Sequence, residues 1–161
     1  MQTAEKSESS FGSASDILSG NLKDILSQKG KKVIEVKSNC TVSVAAKKMR
    51  DNKVGAVMVL ENGSLAGIFT ERDLMSRVVA EGLDPETVQV SVAMTTSIAT
   101  VPPETSVRDA ANIMSQNRIR HLPVVQDGHL YGVISTGDIL AWKLREQEFT
   151  LHQLEDYLFK T

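Results

Sequence analysis

The sequence predicts an α/β fold of the mixed α+β kind, built from two β-α-β-β-α repeats packed face to face about a pseudo-two-fold axis. The first observation is a phrase written twice, Gly67-Ile68-Phe69-Thr70-Glu71-Arg72-Asp73 and Gly132-Val133-Ile134-Ser135-Thr136-Gly137-Asp138. The second is what precedes it. Read backwards without a gap, Val36, Val42, Ala45, Ala46, Met49, Asn52, Val59, Gly63 and Leu65 meet Val101, Val107, Ala110, Ala111, Met114, Asn117, Val124, Gly128 and Leu130, every pair 65 positions apart. One offset held through helix-like, strand-like and turn-like stretches marks a duplicated unit. The third is length: 161 residues suit a single core, so the two halves must share it.

Each element has its own signal. Leu22, Ile25 and Leu26 fall at helical spacing and predict a short amphipathic helix over 21–27, with 90–94 in the same place before the second copy. The tract 28–32, with Lys-Gly-Lys-Lys, carries three more residues than its counterpart and is expected to be a solvated loop. Short β-branched runs at 33–36 and 98–101 read as first strands, each ended by residues that break a strand and cap a helix. Val42, Ala45, Ala46 and Met49 form one apolar helix stripe, and Val107, Ala110, Ala111 and Met114 its twin.

Strands at 56–60 and 122–125 lead into Asn62-Gly63 and Asp127-Gly128, two-residue hairpin turns whose central positions both accept positive φ. Partner strands follow at 65–69 and 130–134. Second helices carry Leu74, Met75, Val78 and Val79, or Ile139, Leu140 and Leu144. The expected organisation is a flexible lead at 1–15, repeats at 16–82 and 90–146 around a hinge at 83–89, and a helical extension at 147–161. In that extension Leu151, Leu154 and Leu158 continue a stripe begun at Leu144, which has no counterpart in the first repeat and suits a dimer interface.

Composition narrows the function classes. A formal net charge of −2 with 24% charged and 41% hydrophobic residues is that of an ordinary globular protein, without the positive balance that nucleic acid or an anionic membrane attracts. No run approaches a membrane span, and the polar, serine-rich opening does not read as a secretion signal. Cys40 is the only cysteine, which rules out an intramolecular disulfide. A cytoplasmic protein is expected.

Catalysis finds little support. His121, His129 and His152 show no metal-ligand spacing. Cys40 lies ahead of a helix start but has no identifiable base partner. Neither a Walker-type loop nor a Gly-x-Gly-x-x-Gly is present. The expectation is a protein that is not an enzyme.

The repeated Thr70-x-x-Asp73 and Ser135-x-x-Asp138 admit two readings. One is a helix capping box, in which the hydroxyl accepts from a backbone N–H and the acid reaches back. The other is a ligand site: a strand ending in a helix N-terminus offers N–H groups to a phosphate, and an acid one turn in can accept both hydroxyls of a ribose.

With these residues the chain resembles a tandem pair of CBS domains, a Bateman module. The resemblance covers about 21–142. It rests on the Gly-h-h-[Ser/Thr]-x-x-Asp phrase in both copies, on Ile119-Arg120-His121-Leu122-Pro123-Val124-Val125, and on the Val-x-x-Ala-Ala-x-x-Met helix. It implies a regulatory module binding AMP, ADP, ATP, NAD or S-adenosylmethionine in clefts between the repeats. Asp73 and Asp138 would then hold ribose, while Thr70 and Ser135 would meet phosphate. By their charge Arg72, Arg120 and a protonated His121 are further phosphate candidates, the alternatives being surface ion pairs for the arginines and a satisfied strand-edge histidine. Val36, Gly55, Ala56, Val57, Thr100, Val101, Leu122 and Pro123 would frame the adenine.

Two other roles remain open. One is a nucleotide-independent scaffold acting through a homodimer surface and its C-terminal helix on a regulated partner protein. The other is single-stranded nucleic acid at 29–32 and 118–120, which the 4% aromatic content disfavours.

Overall fold

The computed structural model describes residues 19–159, so the lead expected at 1–15 lies outside the described residues. In order, the elements are α1 (Leu22–Lys29), β1 (Glu35–Lys37), α2 (Val42–Asn52), β2 (Ala56–Glu61), β3 (Ser64–Thr70) and α3 (Glu71–Asp73), which runs on as a π-helix over Leu74–Val79. Then come α4 (Val90–Ala93), α5 (Val107–Asn117), β4 (His121–Gln126), β5 (His129–Ser135) and α6 (Thr136–Phe159). The mixed class and the duplication stand as expected.

Both hairpins turn where Asn62 and Gly63, or Asp127 and Gly128, take positive φ, the signature of a type I′ turn. Each pairs its strands antiparallel with a single irregularity at equivalent places, Val59/Leu60 and Val124/Val125. The first strands differ. β1 pairs parallel with β2 across Glu35–Lys37, whereas the expected strand at 98–101 is reduced to one parallel bridge between Val101 and Val124. The cause is covalent. Where the N–H of Ser38 continues the ladder to Leu60 O at 2.9 Å, the second copy has Pro102 and Pro103, which carry no N–H to donate.

Strand alternation sorts the sheet faces. Val57, Val59 and Phe69 turn towards α2 and Val78, while Ala56, Met58 and Ile68 turn the other way, against Ile98, Leu130 and Val133. The repeats therefore meet through their sheets and carry their helices outside.

The lead helices are exchanged. Leu22, Ile25 and Leu26 of α1 pack with Val107, Leu122 and Ile134 of the second repeat, and Val90 and Ala93 of α4 pack with Val42, Val57 and Phe69 of the first. This exchange explains the glycine that opens the duplicated phrase. A Cβ on Gly67 would lie 2.6 Å from Met94 Sδ and 2.8 Å from Thr95 O, and one on Gly132 would lie 2.8 Å from a methyl of Leu26. At Gly67 the backbone oxygen leaves no room for a side chain, whereas at Gly132 the crowding comes from side-chain atoms alone.

Candidate functional site: two unequal clefts

At the end of β3 the chain turns into α3 through Thr70, whose extended backbone (φ −118°, ψ 168°) is that of a helix cap. Thr70 Oγ1 accepts from Asp73 N at 3.3 Å, and Asp73 Oδ2 accepts from Thr70 N at 2.9 Å. In the second repeat Ser135 Oγ accepts from Asp138 N at 3.2 Å and Asp138 Oδ2 accepts from Ser135 N at 2.8 Å. Both acids thus form the capping box, with one oxygen each. Their remaining contacts diverge.

Asp73 is buried, 5% exposed. Its Oδ1 accepts from Thr95 Oγ1 at 3.0 Å, with Arg77 Nε 3.8 Å away. Asp138 is held from outside its repeat: Lys29 Nζ donates to Asp138 Oδ2 at 2.6 Å and to Val133 O at 2.7 Å. Burial works to raise the Asp138 pKa, and the Lys29 and Ser135 hydrogen bonds outweigh it, so the carboxyl sits below its ordinary value of 3.8. The tract expected to be a solvated loop therefore supplies, at the end of α1, the cation of the second site.

Around Asp73 a cleft of about 510 Å³ opens between the repeats. Thr70, Arg72 and Arg77 line it from the first repeat and Arg118, Arg120 and His121 from the second, with Ile68, Ile98, Ala99 and Ile119 as its apolar wall. Arg118 reaches this rim because it closes α5 in the left-handed conformation (φ 53°) and redirects the chain into β4. Four arginines face only two carboxylates, Glu71 and Asp73, so the cleft favours an anion despite the negative net charge of the whole chain.

Gly55 sits at the back, where an added Cβ would lie 3.3 Å from Glu71 Oε2 and 3.8 Å from His121 Cε1. Burial pushes the His121 pKa below 6.5, against the opposing pull of Asp138 and Glu71. The neutral imidazole therefore predominates at pH 7.

The place related by symmetry is different. Of its surface, Lys32, Val33, Ile34 and Asn52 line a depression of about 460 Å³ together with Lys31 and Lys48, which does not reach Asp138. Lys31 lies over the Tyr131 ring, 3.9 Å from its centroid.

Of the residues expected at a ligand, Gly55, Thr70, Arg72, Asp73, Arg120 and His121 come together in the one cleft. Ser135 and Asp138 form the second turn, outside it. Val36, Val57, Leu122 and Val101 belong to the helix-side cores, Ala56 lies in the seam between sheets, Pro123 is buried and Thr100 is exposed outside the cleft. A consecutive run such as 55–57 cannot line one surface, because neighbours in a strand point to opposite faces. Arg77, Thr95 and the isoleucine wall escaped the sequence reading, and Arg118 entered it only within the tract 118–120 weighed for nucleic acid. Two signals were available: Ile68 precedes Thr70 by two on a strand, and Arg77 follows Asp73 by four on a helix. Burial raises the Cys40 thiol pKa, against the pull of nearby Lys48, leaving no activated nucleophile at that residue.

Comparison with known proteins agrees with this architecture. The family model described as CBS domain matches residues 22–80 and again 88–145. The mitochondrial CBS domain-containing protein CBSX3 of Arabidopsis thaliana is 34% identical over 166 residues, covering 98% of this chain and 78% of its own. Among solved structures, the CBS-domain containing protein ATU1752 from Agrobacterium tumefaciens is 36% identical with a TM-score of 0.72, covering 76% of this chain and 98% of its own. The hexameric CBS-CP12 protein from bloom-forming cyanobacteria is 32% identical with a TM-score of 0.68, covering 77% and 72%. Two matched repeats, sharing one sheet-to-sheet seam and exchanging their lead helices, make this chain a member of the CBS-domain family, as a tandem pair.

Proposed function

We propose that the chain is a regulatory module that takes up one adenosine-containing nucleotide (AMP, ADP, ATP or NAD, with S-adenosylmethionine a further candidate) in the Asp73 cleft. Tandem CBS pairs are generally regulatory modules. The observation that carries the ligand reading is a buried carboxylate at the floor of a cleft rimmed by four arginines. Such a site suits a molecule with a diol at one end and phosphate at the other. A ribose takes Asp73 Oδ1 by displacing the Thr95 hydroxyl, the base lies along Ile68, Ile98 and Ile119, and the phosphate meets the arginines. Because both repeats line the cleft, occupancy changes the relative stability of their arrangements, and ligand acts through that difference.

Isothermal titration of the full chain with AMP, ATP and NAD tests this. Near-stoichiometric binding of at least one of them, weakened on changing AMP to 2′-deoxy-AMP, is expected; no heat and no rise in melting temperature with any of them overturns it. A second reading has its own observation. Leu140, Leu144, Leu151, Leu154 and Leu158 on α6 are each about half exposed or more, which is the surface a scaffold acting through its C-terminal helix requires.

A further inference from the structure

The helix α6 has two parts. Near its start Ile139 and Trp142 pack on the second repeat's core, Trp142 Nε1 donates to Ser19 O at 2.9 Å, and Glu146 accepts from the Ser19 hydroxyl and its backbone N–H. Beyond Glu146 the body of the protein ends, and every residue from 147 to 158 is exposed. A helical arm with neither face covered is marginal in water, because most helix stability comes from packing an apolar face.

The uncovered side chains have a register. Leu144, Leu151 and Leu158 recur every seven residues, and Leu140, Gln147 and Leu154 recur every seven on the neighbouring row. Three residues from the first row to the second and four back again make the a and d seam of a two-stranded coiled coil, with Leu144 at a and Leu140 at d. Lys143, Thr150 and Tyr157 then occupy g, and Glu148 and Glu155 occupy e.

We infer that this seam is closed by the same helix of a second copy, running parallel and in register. Two features choose the orientation. In a parallel pair each g residue faces the e residue five positions on in the other copy, which sets Lys143 against Glu148; an antiparallel pair faces e against e and sets Glu148 and Glu155 against one another. Among the described residues Gln147 is the single polar residue of the seam from Leu140 to Leu158. In register it meets the other Gln147 and the two amides can hydrogen-bond, whereas an antiparallel pairing buries each against leucine without a partner. A foreign helix could fill the seam, but this charge and amide pattern complements itself. Nothing in the inference depends on the nucleotide cleft.

Sedimentation equilibrium of the full chain, without nucleotide, should give about twice the 17.6 kDa of one chain. Leu151→Asp should weaken self-association by at least about a hundredfold, and its unchanged melting transition would show that the body is intact. In a Cys40→Ser background, Leu158→Cys should form an interchain disulfide on mild oxidation, since only the parallel register brings the two 158 positions together. Lys143→Glu should weaken the dimer and Lys143→Glu with Glu148→Lys should restore it. A monomeric wild type, a dimer indifferent to Leu151→Asp, or a dimer that refuses the cross-link at 158 each overturns the inference.

Discussion

Around Asp73 and Asp138 the same hydroxyl and carboxylate cap the same strand-to-helix turn, yet Asp73 stands on the floor of a cleft while Asp138 is bound by Lys29. The difference originates in the exchanged lead segments rather than in the repeats. The segment after α4 brings Thr95, a neutral hydroxyl that can rotate away; the end of α1 brings Lys29, a cation held by two hydrogen bonds. Duplication thus repeats the acid, and what stands at or just after the end of each lead helix decides whether it is available.

The largest expected effect concerns that availability. Asp73→Asn keeps a side chain able to cap and should cost about 1.5–3 kcal/mol of nucleotide binding, roughly ten- to 150-fold in Kd, through loss of a charged hydrogen bond to the ribose. Asp138→Asn should change Kd by no more than about twofold. Equal losses by calorimetry would erase the distinction between the clefts.

Next come the two glycines. Gly67→Ala pushes a methyl against the backbone oxygen of Thr95, which cannot yield, and should destabilise the fold by about 1–3 kcal/mol. Gly132→Ala meets only the movable methyls of Leu26 and should cost less. Chemical denaturation of the pair ranks them.

Lys29→Met should cost about 1 kcal/mol of stability, since the pair is partly open to water, and should release Asp138 for a second equivalent of nucleotide. A titration that still saturates at one equivalent would show that more than Lys29 closes this cleft.

The smallest effects are with pH. The depressed Asp138 carboxyl adds stability that is complete above about 3.8 and is lost as pH falls through its folded value. Lys29→Met should shrink that acid-sensitive increment. His121, also depressed, favours the fold fully above 6.5 and loses its contribution as pH falls. Melting temperatures between pH 7.5 and 5.5 should therefore decline less in His121→Gln than in the wild type.

The sequence made the duplication and most elements readable because hairpin glycines, helix stripes and the strand-ending phrase are local signals at one constant offset. The departures are long-range. Which core α1 joins depends on contacts between Leu26 and Gly132, more than a hundred residues apart, and nothing near Leu22 announces them. The Asp73 side of the site was visible because its hydroxyl, acid and Arg72 are sequence neighbours. Thr95, Arg77 and Lys29 were not, because the exchange or a helical turn brings them to the acids. The adenine set includes neighbours such as 55–57 and 122–123, and strand alternation turns the side chains of Val57 and Leu122 into the cores. The loss of the strand at 98–101 could have been anticipated from Pro102 and Pro103 alone.

The crossing of α1 and α4 also bears on how the molecule comes apart. A fragment ending at Gly82 would keep α1, whose natural bed is in the missing half, and would lack Val90 and Ala93 to seal Val42, Val57 and Phe69. Cleavage at the hinge followed by separation should then yield two molten pieces instead of two autonomous domains, and the intact chain should melt in a single cooperative transition.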